Sequence, residues 1–404
     1  MGKRYTVIIM LVIISLIVIL GNVSATYKYN REIKYCGKIQ LSVINFPLIN
    51  EEFKSKEYSL KFNKLKLPIK KDFFKVKGLY ITGWVAGLDD KMNEFIELVK
   101  KTEINAFVVD IKDSTGTVSY LSSVPEASQI KANRKKIKNI SALITRLKKE
   151  NIYLIGRIVA FKDPVLARAK RDRALLLTNG EKTWRDLNWI SPYQKENWDY
   201  LVKLAREALE LGFDEIQYDY VRFPALGNGT IQVVQQREMS KEKAIISFLN
   251  YAKSELAEYN APISADVFGA VTFAKDDLGI GQKLETISEV VDIISPMIYP
   301  SHYANGVFNL PIPEAAPYET VYYSMKNAIN RLGENHRVRF RPWLQDFSLK
   351  YYYDVSEVRE QIKALYDLGI EEWLLWNPKS RYTKEAFLPD TEELFPGSYM
   401  ETYQ

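Results

Sequence analysis

Eight short runs rich in β-branched and aromatic residues alternate along this chain with stretches of helical spacing, and that alternation restricts its fold more than any other feature. The strand-like runs are 79–84, 106–111, 153–159, 215–220, 263–268, 292–298, 338–344 and 372–376. Between them, apolar residues recur at three- and four-residue spacing over 92–101, 140–149, 198–211, 244–259, 320–332 and 355–368, the period of an amphipathic helix. Gly212, Gly333 and Gly369 each follow one of these helices, where glycine supplies a left-handed end. Parallel neighbours need a crossover, and eight strands with a helix after nearly every one predict an α/β fold, a closed (β/α)8 TIM barrel, in preference to an open doubly wound sheet. No GxGxxG or GxxxxGK loop follows any strand, which counts against a nucleotide site.

The 404 residues are enough for such a barrel and an appendage, and 47% hydrophobic with 26% charged residues is the composition of a folded chain. The formal charge of +6 is spread out, without a basic run interleaved with aromatics, so no nucleic-acid partner is expected. Lys3 and Arg4 precede an apolar run over 5–20, then Gly21 and the small-residue sequence Val23, Ser24, Ala25. That order fits a signal peptide or a membrane anchor over 1–25, and either one places the barrel outside the cytoplasm, secreted or membrane-anchored. A basic stalk or small appendage follows at 26–77, the barrel occupies 78–395 and a tail ends the chain at 396–404. Cys36 is the single cysteine, so there is no disulfide framework and no thiol metal cluster.

In barrels of this kind the working groups project from the carboxyl ends of the strands. Candidates there are Asp110 and Asp113 after the second run, Arg157 on the third, Asp219 and Arg222 after the fourth and Asp266 on the fifth. Tyr299 follows the sixth, Asp346 the seventh and Asn377 the eighth. Glycosidic cleavage needs one carboxylate to attack or stabilise an oxocarbenium-like carbon and a second, protonated carboxyl to serve the leaving oxygen. Asp219 is the candidate for the first role and Asp266 for the second. Trp84, Trp343 and Trp376 stand near the ends of runs one, seven and eight, adjacent in a closed barrel, where indoles could stack on sugar faces. The stretch 183–192 (TWRDLNWISP) reads as a loop, either a rim over a ligand or a packed surface loop. His302 and His336 lack metal-ligand spacing, so no metal and no cofactor is expected, and no GxSxG elbow occurs.

The run 212–224 (GFDEIQYDYVRFP), with 78–83 (GLYITG), 108–113 (VVDIKD) and 295–300 (SPMIYP), resembles the glycoside hydrolase family of domain-of-unknown-function type 4015. The resemblance spans about residues 78–395 and implies a (β/α)8 barrel with Asp219 in the place of the family's fourth-strand acid. The order of acids also looks like that of α-amylase-type barrels, and by that analogy Asp219, Asp266 and Asp346 take the roles of nucleophile, acid/base and stabiliser. This chain has an aspartate where the amylase-type acid is a glutamate, which leaves Asp110 or Asp113 as substitutes for Asp266.

Two functions follow as expectations: a glycosidase acting on a cell-envelope or extracellular polysaccharide, or a barrel that binds such a glycan without cleaving it. The barrel's core should also be independent of the stalk. Residues 77–404 expressed alone should therefore melt in one cooperative transition, and an aggregate without a transition would contradict that boundary.

Overall fold

The computed structural model describes residues 75–389, apart from 228–229, 235–238 and 334–335. The expected signal or anchor, Cys36, the stalk up to residue 74 and the tail lie outside the described residues. Nine strands form one parallel sheet: β1 (Lys77–Ile81), β2 (Ala106–Lys112), β3 (Tyr153–Val159), β6 (Glu215–Asp219), β8 (Ile263–Phe268), β9 (Ile293–Met297), β10 (Arg339–Phe340), β11 (Trp343–Gln345) and β12 (Trp373–Trp376). The pairing of β8 with β9 closes the ring. Arg339–Phe340 and Trp343–Gln345 share the seventh position, because Pro342 between them has no N–H to give the ladder. The result is a (β/α)8 barrel of eight parallel strand positions with helices between strands.

The helices fall where the spacing predicts. Lys195–Leu211 buries Trp198, Leu201, Leu204, Ala205 and Ala208 on one face and ends at Gly212, whose φ of 111° is left-handed. Two local readings change. β1 stops at Ile81 rather than running to Trp84, because the Thr82 hydroxyl accepts from Val85 N and caps a short helix, Gly83–Ala86. The stretch 183–192 is not a loop but carries β5 (Thr183–Ile190), antiparallel to β4 (Ala174–Thr178), which also pairs with β7 (Gln232–Val233). Asn179 Oδ1 holds the turn between β4 and β5 by accepting from Lys182 N at 2.7 Å.

Period-two alternation sends every second residue into the barrel. On β6 these are Glu215, Gln217 and Asp219, all buried. They fall into three levels. At the amino end Arg341 Nη1 donates to both oxygens of Glu215 at 2.9 Å, and Ser264 Oγ donates to Glu215 at 2.6 Å. Burial works against the charge on Arg341, but Glu215 and Glu372 outweigh it and hold its pKa above the ordinary value. The middle level is largely apolar, with Val108, Ile155, Trp343 and Leu374 in one cluster. At the carboxyl end lies a second charged level, built around Asp219.

The lower ion pair holds charge that would otherwise be unpaired in the core. Arg341→Met should lower stability by about 3–5 kcal/mol, since it strands Glu215. The double variant Arg341→Met, Glu215→Met should recover much of that loss in a denaturant titration. Equal losses in the two variants would show that packing, not the stranded charge, sets the cost.

Candidate active site

The upper level is organised by Arg157. β3 pairs with β2 so that Arg157 stands beside Asp110, and with β6 so that Val159 stands beside Asp219. Arg157 Nε and Nη2 donate to Asp219 Oδ2 at 3.1 and 2.5 Å, and Nη1 donates to Asp110 Oδ1 at 2.5 Å. The Tyr80 hydroxyl donates to Asp110 Oδ2 at 2.6 Å. The guanidinium also lies 5.2 Å from the Trp376 ring and 5.5 Å from Tyr80, and those two rings stack at 4.0 Å. Immediately after Asp219 the chain turns sharply: Tyr220 takes a φ of 48°, and its N–H donates to Asp219 Oδ1 at 2.6 Å. A bulky residue in the left-handed region is strained, and such strain clusters at functional sites.

Asp266 has a different environment. Its Oδ1 accepts from Trp343 Nε1 at 2.8 Å, and it has no salt bridge among the described residues. Burial pushes its carboxyl well above the usual range, and the charge of Asp219 pushes it further, with Arg157 opposing. One carboxyl is thus held in a cation's fork while its neighbour is favoured in the protonated form. Both face a cavity of about 590 Å³. Arg157, Trp343 and Trp376 share that cavity, and Tyr299, His302, Phe268 and Tyr303 line it from the fifth and sixth strand ends and the loops beyond them. Burial raises the Tyr299 phenol and lowers the His302 imidazole, so both favour their neutral forms. A polar floor under aromatic walls is suited to holding a sugar ring beside an acid and a carboxylate.

A family model described as "Putative glycosyl hydrolase domain", DUF4015, matches residues 78–382. The chain belongs to this family. A hypothetical protein from Ruminiclostridium thermocellum ATCC 27405 is 40% identical over 50% of this chain and 98% of its own, with a TM-score of 0.43. The PgaB (BpsB) glycoside hydrolase domain from Bordetella bronchiseptica is similar in fold, at 12% identity over 76% of this chain and 94% of its own, with a TM-score of 0.55. No curated protein matches.

The site residues expected from the sequence separate into two groups. Asp219, Asp266, Arg157, Arg222, Tyr299, Trp343 and Trp376 line the cavity, and Asp110 supports it from behind Arg157. Asp113, Trp84, Asp346 and Asn377 do not line it. Asp113 accepts from Lys136 Nζ and from Thr115, and Trp84 is exposed on its short helix with Lys136 over its ring. The three tryptophans therefore do not form one platform; Trp343 and Trp376 meet edge to face without Trp84. Asp346 accepts from Thr383 through both oxygens, and Asn377 Nδ2 donates to the Asp346 backbone carbonyl. These contacts fit them for tying the segment after β12 to the barrel. Tyr80 and Phe268 are not among the residues expected from the sequence, although both sit at strand ends with the period that turns Asp110 and Asp266 inward. Tyr218, flanking Asp219, faces outward against Phe248.

The elevated Asp266 pKa has a measurable consequence. Above about pH 4 the unfolded chain releases this proton while the folded chain keeps it, so the wild type loses stability as pH rises toward the folded pKa. Asp266→Asn lacks that slope, and its melting temperature relative to wild type should climb between pH 4 and 7. A constant difference across that range would show that Asp266 is not held protonated.

Proposed function

We propose that this DUF4015 protein is an extracytoplasmic glycoside hydrolase acting on a cell-envelope or extracellular polysaccharide, with Asp219 as nucleophile or charge stabiliser and Asp266 as proton donor. The observation that carries the reading is the opposed environment of two carboxyls over one aromatic-walled cavity: Asp219 in the Arg157 fork, Asp266 buried beside an indole N–H. Paired carboxyls in unlike environments divide the labour of attack and protonation. Asp266 would give its proton to the departing glycosidic oxygen as the bond breaks, while Asp219 meets the positive carbon and Arg157 fixes its orientation. Water then attacks the same carbon, its oxygen becoming the new hydroxyl as Asp219 leaves that carbon, and its proton passes to the now ionised Asp266.

Asp219 and Asp266 lie one step beyond Tyr218 and Ala265, which pair in register on neighbouring strands. Neighbouring strands run about 4.8 Å apart, a spacing that favours the close-set carboxyls of retaining enzymes over the wider inverting pair. Placement outside the cytoplasm, and membrane attachment through 5–20, rest on the order of charge, apolar run and small residues at the start of the sequence. The alternative, glycan binding without turnover, draws on the hydrogen bonds that already engage both oxygens of Asp219.

Asp219→Asn separates the two. It keeps shape and removes the charge that the transition state needs, so release of reducing ends from envelope and extracellular glycans should fall on the order of a thousandfold with affinity nearly unchanged. Full activity in this variant would move the site elsewhere, and glycan binding by wild type without new reducing ends would establish the binding barrel.

A further inference from the structure

Arg222 is a buried cation with no acid of its own. Its residue is 8% exposed, it lines the cavity, and its Nη1 donates to the Phe223 carbonyl at 2.8 Å. The other arginines buried in the barrel interior, Arg157 and Arg341, each make ion pairs with carboxylates, and Arg222 makes none among the described residues. Its guanidinium instead lies 4.3 Å from the Phe268 ring, 4.9 Å from Tyr220 and 5.0 Å from Trp189. Rings cover a guanidinium's faces, but they leave its in-plane N–H groups in need of acceptors. Lys162 lies 5.1 Å from the same Tyr220 ring and also lacks a salt bridge among the described residues. Two cations therefore share one aromatic side chain, held at a strained φ, on the rim of a cavity whose acids are engaged elsewhere.

We propose that Arg222 receives a negatively charged substituent, a carboxylate or a sulfate, on the sugar that the cavity holds, so that the glycan is an acidic one. The proposal rests on the glycan reading above and narrows its substrate class. The planar fork of a guanidinium matches both anions through paired N–H donors, and the surrounding rings hold that fork rigid before the ligand arrives. Lys162 adds a second positive charge at the same end, without the fork's geometry. A neutral sugar would leave Arg222 without a direct ion pair in a largely desolvated wall, with Asp219 acting on it only through space, whereas Arg157 and Arg341 each hold carboxylates directly.

The test uses the whole protein and three probes: D-glucuronate, D-glucose 6-sulfate and D-glucose, titrated by saturation-transfer NMR at low salt. The wild type should bind at least one of the two acidic sugars tenfold or more tightly than glucose, and the stronger of the two identifies the anion. Arg222→Gln should bring that ratio close to one, and Arg222→Lys should keep part of it, with thermal melting confirming that each variant folds. Equal binding of all three sugars by wild type, or an undiminished preference in folded Arg222→Gln, would overturn the proposal. Turnover of 4-nitrophenyl glucuronides and glucosides, in both anomers, keeps the two readings apart. An acidic preference without turnover contradicts only the hydrolase reading, and turnover without an acidic preference contradicts only the role of Arg222.

Discussion

The bond on which the upper barrel depends is the fork between Arg157 and the carboxylates of Asp110 and Asp219. It joins β2, β3 and β6 through one side chain, and the rings of Tyr80 on β1 and Trp376 on β12 pack near that side chain. A buried guanidinium is tolerated only where acceptors replace its water, and Asp110, Asp219 and the two aromatic faces do so together. The same fork leaves Asp266 alone. Burial is the main cause that raises the Asp266 pKa, and the charge of Asp219 adds to it; Arg157, committed to two other acids, opposes the rise without a direct contact, and an indole N–H is the group that Asp266 touches. The two candidate catalytic carboxyls thus differ in their direct partners: the arginine's fork for Asp219, an indole N–H for Asp266.

A parallel arrangement holds the barrel's other end. Glu215 is four residues before Asp219 on the same strand and faces the same interior, where Arg341 grips both its oxygens. The lower pair is fully buried beneath the apolar middle level, and neither of its residues lines the cavity at the other end, which makes it a structural counterpart of the upper one. The upper pair opens onto a cavity walled by aromatic residues. Position along the barrel axis, rather than residue type, separates the pair suited to chemistry from the pair suited to holding the ring.

Much of this was legible in the sequence because strand alternation is a strong signal. Eight strand positions, the main helices and the cavity-facing Asp219, Asp266, Arg157 and Tyr299 all follow from periods of two and 3.6 with glycine at helix ends. What was not legible depended on contacts distant in the chain. Asp346 stands at a strand end like Asp219, but Thr383 captures it, and no spacing announces a partner 37 residues away. Trp84 lay within an apolar run whose strand ends early because the Thr82 hydroxyl starts a helix. The hairpin of β4 and β5 mixes Trp, Asp and Asn in an order that resembles a loop, and only its pairing with Ala174–Thr178 makes it a strand.

Whether two carboxyls at the ends of β6 and β8 hydrolyse a glycosidic bond is decided by isotope labelling. Cell-envelope and extracellular glycans would be digested in water enriched in oxygen-18 and their fragments weighed by mass spectrometry. One heavy oxygen is expected at each newly formed reducing end with the wild type and none with Asp219→Asn. Fragments formed without the label, or label incorporated undiminished by Asp219→Asn, would contradict this role for the two carboxyls.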